Sequence, residues 1–347
     1  MTKDRKTGTD LNGKVTSFHV ARRAGVSASA VSRVFSGASA SPAMQAKVRR
    51  AAQDLGYRPD PIARAMITGK SRMIGLVVAY LDNQFYPLAL ERLSAALQEK
   101  GYHILVFLAS NTADKIATVV QELMDYSVDG IITASVAMSN DLTARCAANG
   151  IPVVMFNRGQ DGPGISSVTS ANVGGGRRVA DFLVAGGHRR IAHIAGWAGS
   201  STGRDRQRGF VEGLAEAGLE SAGIIDGMYD RNVAAAAART LISGSRLPDA
   251  IFVGNDHMAF AVMDTLRGMG LSVPGDVSVV GYDDVPLAAW PAYDLTTVRQ
   301  PLNRMVEATV ETLLAQIADP DRPSQKIEID GPLIVRSSAR IPKGTAV

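Results

Sequence analysis

A chain of 347 residues with 46% hydrophobic and 20% charged side chains is long enough for two domains and a sizeable core, and its balance excludes a mainly disordered or collagen-like protein. No apolar run reaches the roughly 18 residues of a membrane span, and the opening MTKDRKTGTD lacks the apolar stretch of a secretory signal, so a cytoplasmic protein with no membrane partner is expected. The net charge of +4 hides an asymmetry: residues 1–72 hold 14 Lys and Arg against four Asp, a net +10, while the rest holds 23 basic against 29 acidic side chains, a net −6. The head, and not the body, is therefore the part suited to nucleic acid or another anionic surface.

Residues 1–14 read as a basic flexible tail. From Thr16 the text TSFHVARRAGVSASAVSRVFSG predicts two short helices around a tight turn. Apolar Phe18, Val20, Ala21 and Ala24 precede Gly25, and after Val26 a second apolar series follows at Ala30, Val31 and Val34. Gly25 supplies the positive φ at which the first helix stops, and Ser27 caps the second, which exposes Ala28, Ser29, Ser32 and Arg33. Ser41-Pro42 then opens a third helix as N-cap and first helical residue, with Ala43, Val48, Ala51, Ala52 and Leu55 inward and Gly56 at its end. This spacing predicts a helix-turn-helix DNA-binding domain over residues 15–60, although small helical bundles share it. In YRPDPIARAMITGKSR, Asp60 and Pro61 start a further helical stretch that Gly69 closes, giving a hinge helix and linker over 61–70 that is too short to be stable alone. Gly69-Lys70-Ser71 looks like the end of a phosphate-binding loop, but that motif needs Gly five residues earlier, where Arg64 stands.

Beyond residue 71, buried-strand runs recur as MIGLVV, YHILVFL, GIITAS, PVVMFN, IAHIAG, AIFVGND and VSVVGYDD. Amphipathic stretches lie between most of them, at Leu88 to Lys100, Ala171 to Ala185, Arg206 to Ala217 and Met258 to Met269. Such alternation predicts parallel sheets with helices on both faces, and about 275 residues is large for one sheet, which points to two lobes. Ligands in such folds sit at the carboxyl ends of strands, which in a two-lobed body means the cleft.

The run VARRAGVSASAVSR, then GYRPDPIARAM, then MIGLVVAYLDNQFYP resembles the LacI/GalR family of bacterial transcription regulators, and the similarity extends through the rest of the chain. The resemblance implies an all-α helix-turn-helix domain followed by a periplasmic-binding-protein-like α/β core of two doubly wound parallel-sheet lobes. That core would span 71–347 and cross between lobes near residues 165, 298 and 329, with an N-lobe of about 71–165 and 299–328 and a C-lobe of about 166–298 and 329–347. It implies that Ala28, Ser29 and Arg33 face base edges in the major groove, with Thr16, Ser27 and Ser32 as further DNA contacts. Arg33 is the strongest reader, since a guanidinium can bridge O6 and N7 of guanine. Ala63, Arg64 and Met66 are expected at the minor groove, Met66 as the wedge, with plain packing as its alternative.

The strand ends carry polar or aromatic residues that coincide with the family's effector-contacting positions: Asn83, Phe85 and Tyr86, then Asn157 and Arg158, Arg204 and Arg206 ahead of a helix beginning QRGF, Tyr229, Asn255 and Asp283. These groups suit a sugar, pairing hydrogen bonds to vicinal hydroxyls with aromatic cover for the ring. For each, a helix cap or interlobe ion pair is the structural alternative. Three arginines in one cleft would also suit a sugar acid or sugar phosphate.

Other signals carry no chemistry. Cys146 excludes an intrachain disulfide and reads as a buried inert thiol. The five histidines lack metal-ligand spacing and read as surface or capping residues, so no metal or other cofactor is expected. Asp283-Asp284 fits a cap or ligand acceptor better than an acid pair, and Gly174-Gly175-Gly176 fits close helix packing better than anion binding. Residues after 330 show no Leu heptads, so no tetramer-forming tail is expected. The expectation is thus a homodimeric regulator, a repressor, that binds a palindromic double-stranded operator under control of a small effector. A solute-binding receptor with the same body is the alternative; an enzyme is not expected.

Overall fold

The computed structural model describes residues 15–36, 39–58, 70–109, 113–136, 139–160, 164–244 and 247–344. It divides into two compact units, Met1–Arg72 and Met73–Val347. The tail at 1–14 and most of the expected hinge, including Ala63, Arg64 and Met66, lie outside the described residues.

In the first unit α1 (Ser17–Ala24), α2 (Ala28–Ser36) and α3 (Pro42–Asp54) enclose a core of Val20, Ala21, Val31, Val34, Val48, Ala51 and Ala52. The local signals act as expected. Gly25 adopts φ 67°, the Ser27 hydroxyl accepts the Ala30 N–H at 3.1 Å, and the Ser41 hydroxyl accepts the Met44 N–H at 3.3 Å. Phe18, although apolar, is 62% exposed because it lies two positions before Val20, about 200° around the helix. One inward assignment fails. Ala43 is exposed in the first turn of α3, about 140° from Val48.

The second unit holds two sheets. Strands β1 (Met73–Val78), β2 (His103–Leu108), β3 (Gly130–Ala134), β4 (Val153–Phe156), β5 (Ser166–Ser170) and β11 (Lys326–Ile329) form the N-lobe sheet in the order β11-β5-β4-β3-β1-β2, all parallel. Strands β6 (Ile191–Ala195), β7 (Gly223–Asp226), β8 (Ala250–Val253), β9 (Ser278–Asp283), β10 (Thr296–Arg299) and β12 (Leu333–Ile334) form the C-lobe sheet, β12-β10-β9-β8-β6-β7, in which β12 alone runs antiparallel. The N-lobe helices are α4 (Phe85–Glu99), α5 (Ala113–Asp125), α6 (Asn140–Ala148) and the returning α11 (Leu302–Ala318). Those of the C-lobe are α7 (Asn172–Ala185), α8 (Ser201–Glu216), α9 (Arg231–Ile242) and α10 (Asp256–Gly268).

The chain crosses between the sheets after Ser170, after Arg299 and after Ile329. The first crossing therefore does not lie near 165. β5 reads SSVTS, which has one aliphatic residue, so hydrophobicity does not mark it as a strand; yet all five residues are buried between β4 and β11. Arg204 and Arg206 likewise do not precede their helix. α8 starts at Ser201, where the Ser200 hydroxyl accepts the Gly203 N–H at 3.1 Å. His193, expected at a surface or cap, is fully buried in β6 against Phe252, ring centroids 4.5 Å apart, and burial pushes its imidazole down to about 4. Cys146 is buried, and desolvation raises its thiol.

Glycines decide how closely α7 and α8 approach. A Cβ on Gly176 would stand 2.1 Å from the Arg206 carbonyl oxygen, and one on Gly209 would stand 1.9 Å from that of Val173. Both obstacles are backbone, which cannot swing aside. Gly174, on the same stretch, meets nothing within 4 Å. Gly209→Ala should accordingly destabilise the body by about 1–3 kcal/mol through overpacking. Gly174→Ala should stabilise it by about 0.5–1 kcal/mol through helix propensity, and denaturant unfolding of the two variants checks both signs.

Candidate functional site

In the first unit, α2 presents Ala28, Ser29 and Arg33 to solvent with Ser32 half-buried beside them, because Ala30, Val31 and Val34 take the opposite face inward. Ser27 is exposed but its hydroxyl is engaged, capping α2 and lying 2.9 Å from the Ser29 hydroxyl. Thr16 is half-buried at the start of α1, its N–H donating to His19 Nδ1 at 3.0 Å. Arg22, Arg23, Lys47, Arg49 and Arg50 are also exposed, so this small bundle carries a basic surface around an uncommitted helix face.

In the second unit the carboxyl ends of both sheets carry a polar, aromatic cluster. Arg206, 2% exposed on α8, is held on all sides. Its Nε donates to Asn172 Oδ1 at 2.9 Å and its Nη1 to the Gly254 carbonyl at 2.6 Å; its Cζ lies 3.6 Å from the Tyr282 ring centroid and Asp283 Oδ1 lies 3.7 Å away. Asp283, at the end of β9, also accepts Gln300 Nε2 at 2.7 Å. Burial raises its carboxyl, and Arg206, Gln300 and Asn83 act against that rise.

On the N-lobe side Asn157, at φ 68°, donates through Nδ2 to the Tyr86 hydroxyl at 3.3 Å. Arg158, 3% exposed, donates through Nη2 to the Tyr80 hydroxyl at 2.9 Å, and its Cζ is 5.8 Å from the ring centroids of both Trp197 and Tyr229. Burial works against the Arg158 charge, and Tyr86 and Tyr80 beside it are phenols whose own values burial raises, so they carry no charge near neutral pH to offset it. The Tyr229 hydroxyl lies 2.9 Å from Thr202 Oγ1.

The structure thus brings Asn83, Tyr86, Asn157, Arg158, Arg206, Tyr229 and Asp283 into one network. Two expected residues, Phe85 and Asn255, use their side chains elsewhere, and Arg204 is exposed. Phe85 is a core side chain stacked on Phe156 at 6.2 Å. Asn255 Oδ1 caps α10 by accepting the Met258 N–H at 2.9 Å, as the structural alternative foresaw. Arg204 lies on the exposed side of the first turn of α8. Tyr80, Trp197, Tyr282 and Gln300 were not anticipated. Tyr80 and Trp197 follow strands just as the chosen residues do, so the strand-end rule reaches them; Tyr282 and Gln300 carry no local signal. The lobes also touch where the Gly159 N–H donates to Ser201 Oγ at 2.9 Å and where His257 Nε2 lies 3.4 Å from Asp82. Asp284 belongs to a separate pairing, accepting Arg299 Nε at 2.6 Å and Arg336 Nη2 at 2.7 Å. No cluster of His, Cys, Asp or Glu suited to a metal ion occurs among the described residues.

Beneath this cluster Asp256 is fully buried, accepting the Thr297 hydroxyl at 2.6 Å and the Val285 N–H at 3.0 Å. Burial first, and the Asp283 charge second, push its carboxyl up to about 8. A carboxyl whose folded value is raised holds its proton more tightly in the folded state, so its contribution to stability shrinks as pH rises through that window and is constant above it. Relative to Asp256→Asn, the wild-type protein should lose melting temperature from about pH 4 to about pH 8 and then level off. Calorimetry across pH 4–9 tests this, and a gap independent of pH would contradict it.

Residues 19–60 match the family described as bacterial regulatory proteins, lacI family, and residues 180–339 match the periplasmic binding protein-like domain. The chain is 30% identical to the HTH-type transcriptional repressor PurR of Photobacterium profundum, covering 92% of this chain and 97% of that protein. It is also 30% identical to the ribose operon repressor of Escherichia coli, over 92% and 98%. Among solved structures, a complex of the transcriptional regulator CelR with cellobiose superposes with a TM-score of 0.72 at 30% identity, covering 94% of this chain and all of that one. The lac repressor dimer bound to operator and the anti-inducer ONPF superposes with a TM-score of 0.84 at 25% identity, over 94% and 99%. No helix among the described residues is long and apolar enough to cross a membrane. The match at residues 19–60, the basic three-helix head and the two-sheet body, together with 30% identity to repressors over nearly their whole length, place this protein in the lacI family of DNA-binding transcriptional repressors, not among enzymes.

Proposed function

We propose that this repressor binds a near-palindromic operator as a homodimer and that a small sugar or sugar derivative in the interlobe cleft controls its grip. The observation that carries the proposal is the pairing, in one chain, of a solvent-facing side of α2 at Ala28, Ser29, Ser32 and Arg33 with a buried polar cluster around Arg158, Arg206 and Asp283. Thr16 and Ser27 flank the first, and Ala63, Arg64 and Met66 complete the proposed DNA contacts at the minor groove. The name of one similar repressor refers to ribose and another similar regulator was solved with cellobiose, which favours a sugar. Contacts that join the lobes, Gly159 to Ser201 and His257 to Asp82, would differ between lobe arrangements. A ligand preferring one arrangement would shift the population and so change the spacing of two DNA-binding heads.

Selection of bound sequences from random duplexes tests the operator reading, and recovery of a two-fold symmetric site is expected. Arg33→Ala should relax one guanine preference in each half-site, by about 1–3 kcal/mol of discrimination.

The homodimer reading draws on the sheet edges. β2 and β7 each end their sheet and carry exposed apolar side chains, Val106 and Leu108 on β2 and Ile224 on β7, while Tyr126 on one lobe and Met228 and Val233 on the other are exposed apolar side chains outside these strands. Leu108 is 62% exposed, which an isolated edge strand would not favour. A two-fold contact would cover both patches. Leu108→Glu should yield monomer in sedimentation and weaken operator binding; an unchanged dimer would remove this surface from the interface.

A further inference from the structure

We propose that the ligand of this cleft is an anion, a sugar acid or sugar phosphate whose oxyanion binds Arg158 while a neighbouring hydroxyl donates to Asn157 Oδ1; the inference rests on the effector-cleft reading above. The cleft contains two buried arginines and treats them differently. Arg206 has a carboxyl oxygen, an amide oxygen, a backbone carbonyl and an aromatic face around it. Arg158 is as deeply buried, yet its Nε and Nη1 have no hydrogen-bond partner, and its one bond goes to the neutral Tyr80 hydroxyl.

The acidic groups around the cleft are engaged elsewhere. Asp283 serves Arg206 and Gln300; Asp284 pairs with Arg299 and Arg336; Asp256 accepts from Thr297 and Val285; Asp82 faces His257. Among the described residues no carboxylate lies within ion-pair distance of Arg158. The rings of Trp197 and Tyr229, with centroids 5.8 Å from Cζ, stand at the far limit of a cation–π contact and offset little of the desolvation. A buried cation with idle donors is costly to the folded state unless an anion arrives, and a guanidinium is the side chain best matched to carboxylate or phosphate oxygens. Asn157 Oδ1, also buried and without a partner on the adjacent residue, supplies an acceptor for a hydroxyl next to the charged group. Tyr80, Tyr86, Trp197 and Tyr229 give aromatic cover to the ligand's carbon skeleton. Neutral sugars satisfy the hydroxyl acceptor and the rings, but they leave the charge unmatched.

Isothermal titration of the full-length protein with a matched panel decides the matter: each aldopentose and aldohexose beside its aldonate, its uronate and its terminal phosphate. At least one acid or phosphate should bind about 100-fold more tightly than its neutral parent, and Arg158→Met should erase that ratio. Preference for the phosphate over the carboxylates would identify the oxyanion as phosphate and support the inference. A neutral parent binding as well as its acids would overturn it and leave the sugar-effector reading standing. Silence across the whole panel, with operator binding intact, would overturn the sugar-effector reading and the inference with it. Ligand-free melting provides a second arm that needs no ligand: Arg158→Met, which keeps the aliphatic stem and removes the charge, should melt at or above the wild-type temperature. A fall of several degrees would show the guanidinium already compensated and would overturn the inference.

Discussion

Arg206 can occupy the interior because α7 and α8 approach to backbone distance, and they do so because Gly176 and Gly209 have no side chains at the crossing. The obstacle that a Cβ on Gly176 would meet is the Arg206 carbonyl itself, so helix packing and cation placement are one constraint. Gly175 extends it, since a Cβ there would displace the Tyr282 ring on which the guanidinium rests. From that position Arg206 gathers Asn172 at the start of α7, the Gly254 carbonyl after β8 and Asp283 at the end of β9. Three chain segments that are distant in sequence are tied by one side chain, and the floor of the cleft is set by that tie.

The electrostatics follow. Burying a cation, a carboxylate and a second carboxyl within one region is tolerable only with dense hydrogen bonding, and the C-lobe floor meets that condition. Asp256 shares the region with Asp283 and meets the like charge by holding its proton, as the upward shift of its carboxyl indicates. The N-lobe wall does not meet the condition. Arg158 is buried to a similar degree as Arg206, but its Nε and Nη1 have no hydrogen-bond partner. That difference between the floor and the wall is what the proposed anion site rests on.

Much of the fold was legible because its cues are local. Gly25, Ser27 and Ser41-Pro42 act on donors and acceptors within three residues, so they can be read without knowing the tertiary structure. Strands such as MIGLVV and VSVVGYDD announce burial on both faces by composition. SSVTS does not, because its hydroxyls are buried by neighbours on either side, not by hydrophobicity, and the first crossing was misplaced accordingly. Of the cleft residues, those at strand ends could be anticipated from topology alone, whereas Gln300 and Tyr282 act through contacts set by distant segments. Asn255 is the reverse case: it too ends a strand, but its side-chain carbonyl oxygen is used by its own helix.

By itself the sequence determined a basic three-helix reader, an alternating α/β body and the residue types available to a cleft, since periodicity, capping and charge segregation are properties of short stretches. Tertiary structure alone decided which arginine is compensated and which is not, because pairing depends on groups brought together from β4, α8, β8 and β9. It also decided why the glycine run is needed: the value of a missing side chain appears only when another helix lies against it.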